Sequence, residues 1–337
     1  MLHYRSPVRS VLSRPALGRV WMGAVAALAL VASGCNAQAS DPEQPRPDVS
    51  EAAEAVEVTP DRYVALGDSY TAAPLRLNSE RVKGCMRSRN NYPRLVVDAL
   101  ENTELVDVSC SGASTISMFS RQGFDDADMK KPPQLDALTA DTDLVTVSIG
   151  ANDFRLFNSM IFECLDVGPV DPDGAPCREQ NTQGKKDRLK RTIRRIEPRV
   201  RRVVEDIRER APEARVLLVG YPKLLPDTGV CPRRLPLARG DYGYARHINR
   251  RLTRAVRNAG TTAGAEYLNL FRASKGHDIC SDEPWIAGIR GVRHMAMGLH
   301  PYPSEQRAVA DLILAQLELR PGPALQRGVD HSTVDNG

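Results

Sequence analysis

The chain has little of what would mark a membrane-spanning, metal-binding or nucleic-acid-binding protein. Its N-terminal apolar stretch, residues 20–32, is shorter than the ~18 residues of a membrane span. None of its seven cysteines stands in a Cys-x-x-Cys spacing, which speaks against a zinc site. The Asp171-Pro172-Asp173-Gly174 turn lacks the spacing and closing Glu of a calcium-binding EF-hand loop and reads as an ordinary turn beside Cys177. Nor does the body of the chain carry an excess of positive charge. The formal net charge is +4, and Arg5, Arg9, Arg14 and Arg19 account for all of it, which argues against a nucleic-acid partner. Apolar periodicity is missing from residues 35–60, which are rich in Pro, Ala and acidic side chains and read as a disordered tether. The polar tail, residues 321–337, reads as frayed.

What is present begins with those four arginines. A positive segment, a short apolar core and the small residues Ser33-Gly34 make residues 1–34 an export signal. Ala32-Ser33-Gly34-Cys35 is similar to a bacterial lipobox, which would make Cys35 the lipidated start of the mature chain and anchor it to the outer face of the cell membrane. The plainer alternative is an ordinary secretion signal with Cys35 incidental. Six cysteines follow: Cys85, Cys110, Cys164, Cys177, Cys231 and Cys280. An even number in an exported chain points to disulfides, and the spacings alone leave the pairing open.

Residues 61–320 are enough to bury a large core. Five short apolar runs, at 63–66, 105–108, 144–149, 216–219 and 266–270, read as strands. They lack polar/apolar alternation, as strands do when both faces of a sheet are covered. Helical patterns lie at 92–100, at 244–259 through Ile248, Leu252 and Val256, and at 304–319 through Ala308, Leu312, Ala315 and Leu319. The alternation of strand and helix predicts an α/β fold with a parallel sheet between helical layers. The strongest helix, 185–210, carries the apolar stripe Leu189, Ile193, Ile196, Val200, Val203 and Ile207, with Pro198 predicted to kink it. Its other faces bear Arg and Lys interspersed with acids. We read them as a solvated surface rather than a site for phospholipid headgroups.

Four stretches carry chemistry. Gly67-Asp68-Ser69 ends the first strand, and Ser109-Cys110-Ser111-Gly112 follows the second. Gly150-Ala151-Asn152-Asp153 ends the third, and Gly298-Leu299-His300-Pro301 precedes the last helix. In an open α/β sheet such strand ends share one edge, so residues distant in sequence can converge there. The ordered set resembles the SGNH (GDSL) hydrolase superfamily, in particular its secreted actinobacterial lipase/esterase branch. The resemblance implies a three-layer α/β/α fold with a central parallel five-stranded sheet and a serine esterase or lipase acting on small-molecule or lipid esters, with no cofactor and no metal. It assigns Ser69 as nucleophile and His300 as base. The oxyanion hole would be the N–H groups of Ser69 and Gly112 and the side-chain amide of Asn152. It also implies the bridges Cys85–Cys110, Cys164–Cys177 and Cys231–Cys280. A monomer is expected.

The chain departs from the family in two places. Many members have Asp three residues before the base; here that position is Met297. A main-chain carbonyl near Met297 or Gly298 would then orient the imidazole, with Asp282 and Glu283 as alternatives. The residue after His300-Pro301 is Tyr302 where the family often has Asn. These changes keep a non-catalytic binding module open as an alternative, beside a carbohydrate deacetylase or a phospholipase on the same site. His294 is a second candidate base, whereas His247, His277 and His331 read as ordinary histidines. Asp68 and Asp153 would shape their turns by bonding local backbone. Trp285 would either line the acyl pocket or pack structurally. The loops around 164–177 and 278–294 are expected to set the pocket's size.

Overall fold

A computed structural model of the chain describes residues 59–75, 84–123 and 131–317. The segments expected to be an export signal and a frayed tail, Cys35, nearly all of the expected tether and His331 lie outside the described residues. In chain order the strands are β1 (Arg62–Gly67), β2 (Glu104–Asp107), β3 (Leu144–Ser148), β4 (Thr182–Gln183), β5 (Lys186–Asp187), β6 (Arg215–Val219) and β7 (Glu266–Leu268). β4 and β5 form a two-residue antiparallel ribbon; the other five make one all-parallel sheet in the order β2-β1-β3-β6-β7.

The pleat explains why these strands read as continuous apolar runs. Alternate residues point to opposite faces. Tyr63, Ala65, Leu144, Leu217 and Val219 pack against α2 (Tyr92–Val97) and α9 (Pro303–Gln316). Val64, Leu66, Val145, Val147, Val216 and Leu218 pack against α6 (Arg188–Arg210) and α7 (Asp241–Thr262). Both faces are covered, so no position on the central strands is left to be polar by exposure. Each Val or Leu buried this way contributes roughly 1.5–3 kcal/mol.

Helix α6 begins at Asp187, whose carboxylate accepts the N–H of Lys190 at 2.9 Å, and it runs unbroken through Pro198. Its predicted stripe is buried, and its outer face carries Arg201–Glu205 and Arg202–Asp206 pairs one turn apart. The helix predicted at 92–100 closes at Val97, and residues 98–100 continue as turns. The strand predicted at 266–270 stops at Leu268, because the Asn269 side chain caps the short helix α8 (Leu270–Ala273) by accepting the N–H of Arg272. Four further helices were not legible: α1 (Ser69–Ala72), α3 (Thr115–Phe119), α4 (Leu156–Val167) and α5 (Pro176–Asn181). All three disulfides pair sequentially, Cys85–Cys110, Cys164–Cys177 and Cys231–Cys280.

The sheet order sets the site's place. From β1 the chain first adds β2 on one side, then crosses to β3 on the other. The carboxyl ends of β1 and β3 therefore flank the point where the winding reverses, the usual location of a site in an open α/β sheet.

Candidate active site

The turn that follows β1 is built around a glycine. Gly67 has φ +153°, and a Cβ there would stand 2.2 Å from Thr71 Oγ1 and 2.9 Å from the Ser148 carbonyl oxygen. The side-chain amide of Gln134 brackets the same residue, accepting its N–H at 2.8 Å and donating to its carbonyl at 3.0 Å. Asp68 is fully buried and caps α1: its Oδ1 accepts the N–H of Tyr70 at 2.9 Å, the local bond foreseen for it. Burial raises the Asp68 carboxyl to about 7. Ser69 is the first residue of α1.

The loop after β2 is held to this turn from the side. Cys110 donates its N–H to the Gly67 carbonyl at 3.0 Å, and the Cys85–Cys110 bridge anchors it. Gly112 follows with φ +80°, a conformation that L side chains rarely adopt. The N–H groups of Ser69 and Gly112 donate to no other protein group among the described residues. After β3, Asn152 donates one amide hydrogen of Nδ2 to the Ala113 carbonyl at 2.9 Å, which leaves the second hydrogen of that amide to point elsewhere. Asp153 does not shape its own turn. It reaches across to α3, accepting the Thr115 N–H at 2.7 Å and its hydroxyl at 2.5 Å, with Arg199 at 3.7 Å.

The histidine arrives on a different kind of segment. Gly298, Leu299 and His300 form a loop in which Leu299 has φ +65°. A Cβ on Gly298 would lie 2.1 Å from the Ile289 carbonyl oxygen, so the loop packs backbone on backbone there. His300 Nδ1 lies 2.7 Å from the Gly298 carbonyl oxygen. A carbonyl can only accept, so in this bond Nδ1 carries the proton and Nε2 of the neutral ring is the free lone pair. Burial lowers the His300 pKa below the usual histidine value, with the Gly298 bond opposing. Asp282 and Glu283 do not take the orienting role; the Glu283 carbonyl bonds His277 Nδ1 instead, at 2.8 Å.

Ser69, Gly112, Asn152 and His300 line one cavity of about 620 Å³. Its walls are largely apolar, through Pro74, Met86, Phe157, Phe162 and Met297. The expectation that loops 164–177 and 278–294 set its size is not met: among the described residues the lining includes Gly84, Met86, Gln122, Gly123, Lys131 and residues of 157–162, and α4 supplies the aromatic wall. Trp285 is not in the lining; it stacks on His277 at 4.6 Å between ring centroids. His294, at φ +63°, and His247 also lie outside it. The 171–174 segment is a turn, with Gly174 N–H on Asp171 Oδ1 at 3.0 Å. Among the described residues no group of three or more His, Cys, Asp or Glu side chains is arranged to hold a metal ion, and no helix is long and apolar enough to cross a membrane.

One polar group in the site carried no sequence signal. Tyr221, two residues past β6, is buried and donates its hydroxyl to Asp68 Oδ2 at 2.5 Å while accepting the Ala151 N–H at 3.0 Å. Its ring stands edge-on to Tyr70 at 5.5 Å. Tyr70 in turn donates its hydroxyl to the Leu299 carbonyl at 3.0 Å, beside the histidine. Only the tertiary structure brings these rings together.

A parallel α/β/α sandwich with serine, glycine, asparagine and histidine around one cavity at its switch point is the architecture of an SGNH hydrolase. Residues 65–307 match the GDSL-like Lipase/Acylhydrolase family, and the chain belongs to that family. It is a carboxylic ester hydrolase of the actinobacterial lipase branch. Over 311 residues it is 34% identical to Lipase 2 of Streptomyces coelicolor, covering 89% of this chain and 97% of that protein. It is 30% identical over 248 residues to an esterase of Streptomyces scabiei, covering 64% and 72%. Among solved structures, the fold is similar to an extracellular lipase from Streptomyces rimosus, at 23% identity and a TM-score of 0.61 over 75% of this chain and 98% of that one.

Proposed function

We propose that this protein hydrolyses esters through an acyl-enzyme on Ser69, with His300 as the base in a dyad oriented by its own backbone. Attack by Ser69 Oγ on the ester carbonyl passes the serine proton to His300 Nε2. The tetrahedral oxyanion takes hydrogen bonds from the N–H of Ser69, the N–H of Gly112 and the amide of Asn152. His300 returns the proton to the leaving alcohol; a water, deprotonated by the same imidazole, then releases the acid. The observation that carries this reading is the pair of N–H groups, on Ser69 and Gly112, that donate to no other group among the described residues, in the cavity wall that also holds His300 with its Nδ1 already engaged.

The substrate class follows from the wall. Met86, Phe157, Phe162 and Met297 offer apolar surface for an acyl chain, larger than the polar part of the wall at Ser111, Gln122, Lys131 and Asn158, which favours a lipase or esterase over a carbohydrate deacetylase. The residue pattern at 1–34 supports export, and that at 32–35 supports a lipid anchor on Cys35 with residues 35–60 as its tether and 61–320 as the hydrolase domain. The purified enzyme is expected to act as a monomer.

The test is Ser69→Ala. Hydrolysis of p-nitrophenyl butyrate should fall to the background rate, and labelling by a fluorophosphonate probe should vanish. Turnover and labelling that survive the substitution would remove the serine from the mechanism.

A further inference from the structure

Two of the groups assigned to the reaction come from turns on different strands. Ser69 follows β1 and Asn152 follows β3. For the oxyanion to meet both the serine N–H and the asparagine amide, these turns must hold a fixed spacing. Backbone pairing ends just short of them: the β1–β3 register closes at Gly67 opposite Ser148, with one more bond from Asp68 N–H to the Ser148 carbonyl at 3.0 Å. Beyond that point the sheet itself no longer fixes their separation.

A single phenol bridges the gap. Tyr221 Oη donates to the carboxyl of Asp68, the neighbour of Ser69, and accepts from the N–H of Ala151, the neighbour of Asn152. The other Asp68 oxygen holds the N–H of Tyr70, on the far side of the serine. A hydroxyl can donate and accept at once, and no apolar ring of the same shape can do either. We infer that Tyr221 is a positioning residue that sets the spacing between the nucleophile turn and the Asn152 turn, and so the geometry of the oxyanion hole. The inference rests on the acyl-transfer reading above.

The surroundings fit this role. Tyr221 is buried, and burial together with the adjacent Asp68 raises its pKa well above the usual phenol value, so the ring keeps the proton it donates. The groups facing Asp68 are Tyr221 and Tyr70 by hydrogen bond, with Asp153 acting on it through space. None of them is cationic, so the turn is tied by hydrogen bonds and not by an ion pair. Removing the hydroxyl would leave two buried partners unbonded, one on each turn.

The experiment is a double-mutant cycle with Tyr221→Phe and Asn152→Ala, read as kcat and KM on p-nitrophenyl butyrate, with Tm and Ser69→Ala run alongside. Tyr221→Phe should lower kcat about 10–100-fold with KM within roughly 3-fold, the scale of a sub-ångström misplacement. In the Asn152→Ala background the same change should cost less than about 3-fold, because the amide it positions is already gone. The pH midpoint set by His300 should not move. If Tyr221→Phe turns over at the wild-type rate while Ser69→Ala is dead, the inference fails and the acyl-transfer reading stands. Two losses that multiply in full also overturn it, since they would act separately. A fully active Ser69→Ala overturns both. Should Tyr221→Phe not fold, Asp68→Asn serves in the same cycle. It keeps the volume and the Tyr70 contact but replaces the oxygen that accepts from Tyr221, and it must show the same non-additivity.

Discussion

The two halves of the site are held in opposite ways. On the serine side the turns are tied through side chains: Gly67 by both ends of the Gln134 amide, buried Asp68 by Tyr221 and Tyr70, and half-buried Asn152 by Ala113. On the histidine side a loop carries the ring, and the orienting contact is one carbonyl two residues away. The difference matches what each side must do. Charge develops on the oxyanion, and donors fixed in advance stabilise it without reorganising. On the proposed mechanism the imidazole must take and give a proton, so it needs a chosen tautomer and a free nitrogen.

Three measurements press on this contrast. The largest effect is expected at the fixed side. Asn152→Ala should lower kcat by about 10²–10³ while leaving the pH midpoint of kcat/KM in place, because an amide does not titrate. A shift of the midpoint would mean that the two sides are not separate. The next effect belongs to the mobile proton. With the His300 pKa lowered by burial, the base form is present at neutral pH, and activity is lost as pH falls through a midpoint below ~6.5. Below it, kcat/KM should drop about tenfold per pH unit. A midpoint at about 7 would instead identify Asp68 as the titrating group.

The smallest effect concerns stability behind the histidine loop. Glu305 is buried with no cation beside it among the described residues, and burial raises it to about 8. For a carboxyl raised in the folded state, the unfolded chain ionises first. Stability is therefore full below the unfolded value near 4.5 and declines as pH rises toward 8. Glu305→Gln should accordingly gain Tm relative to wild type, with the gap growing from pH 5 to about 8 and level above that, and kcat at pH 7 little changed. An equal Tm difference at pH 5 and pH 9 would count against an ionisation penalty.

The fold was legible because its central strands are buried on both faces and so read as bare apolar runs, and because α6 and α7 each carry one long stripe. The four candidate site residues were legible because their motifs, in that order and each at a strand end or a helix entry, resemble those of the SGNH family. A carbonyl near Met297 or Gly298 was one of the expected partners of His300, since Met297 offers no carboxylate, and the structure gives that of Gly298. Tyr221 was not legible, since a tyrosine after a strand has no local signature and its partners lie 153 and 70 residues away. Nor was the cavity wall. Phe157 and Phe162 sit on α4, whose apolar residues divide between the core, through Leu156, Met160 and Ile161, and the cavity, and so blur a single stripe.

Gly298 carries one last consequence. A triad entrusts the orientation of its histidine to a third side chain, and a geneticist finds that residue because changing its chemistry kills the enzyme. On the proposed mechanism the same office falls to a residue with no side chain, wedged against the Ile289 carbonyl where even one methyl group has no room. In a saturation screen position 298 would look as intolerant as an active-site acid. The intolerance would come from shape alone, so no substitution, acidic or otherwise, would serve as a conservative replacement.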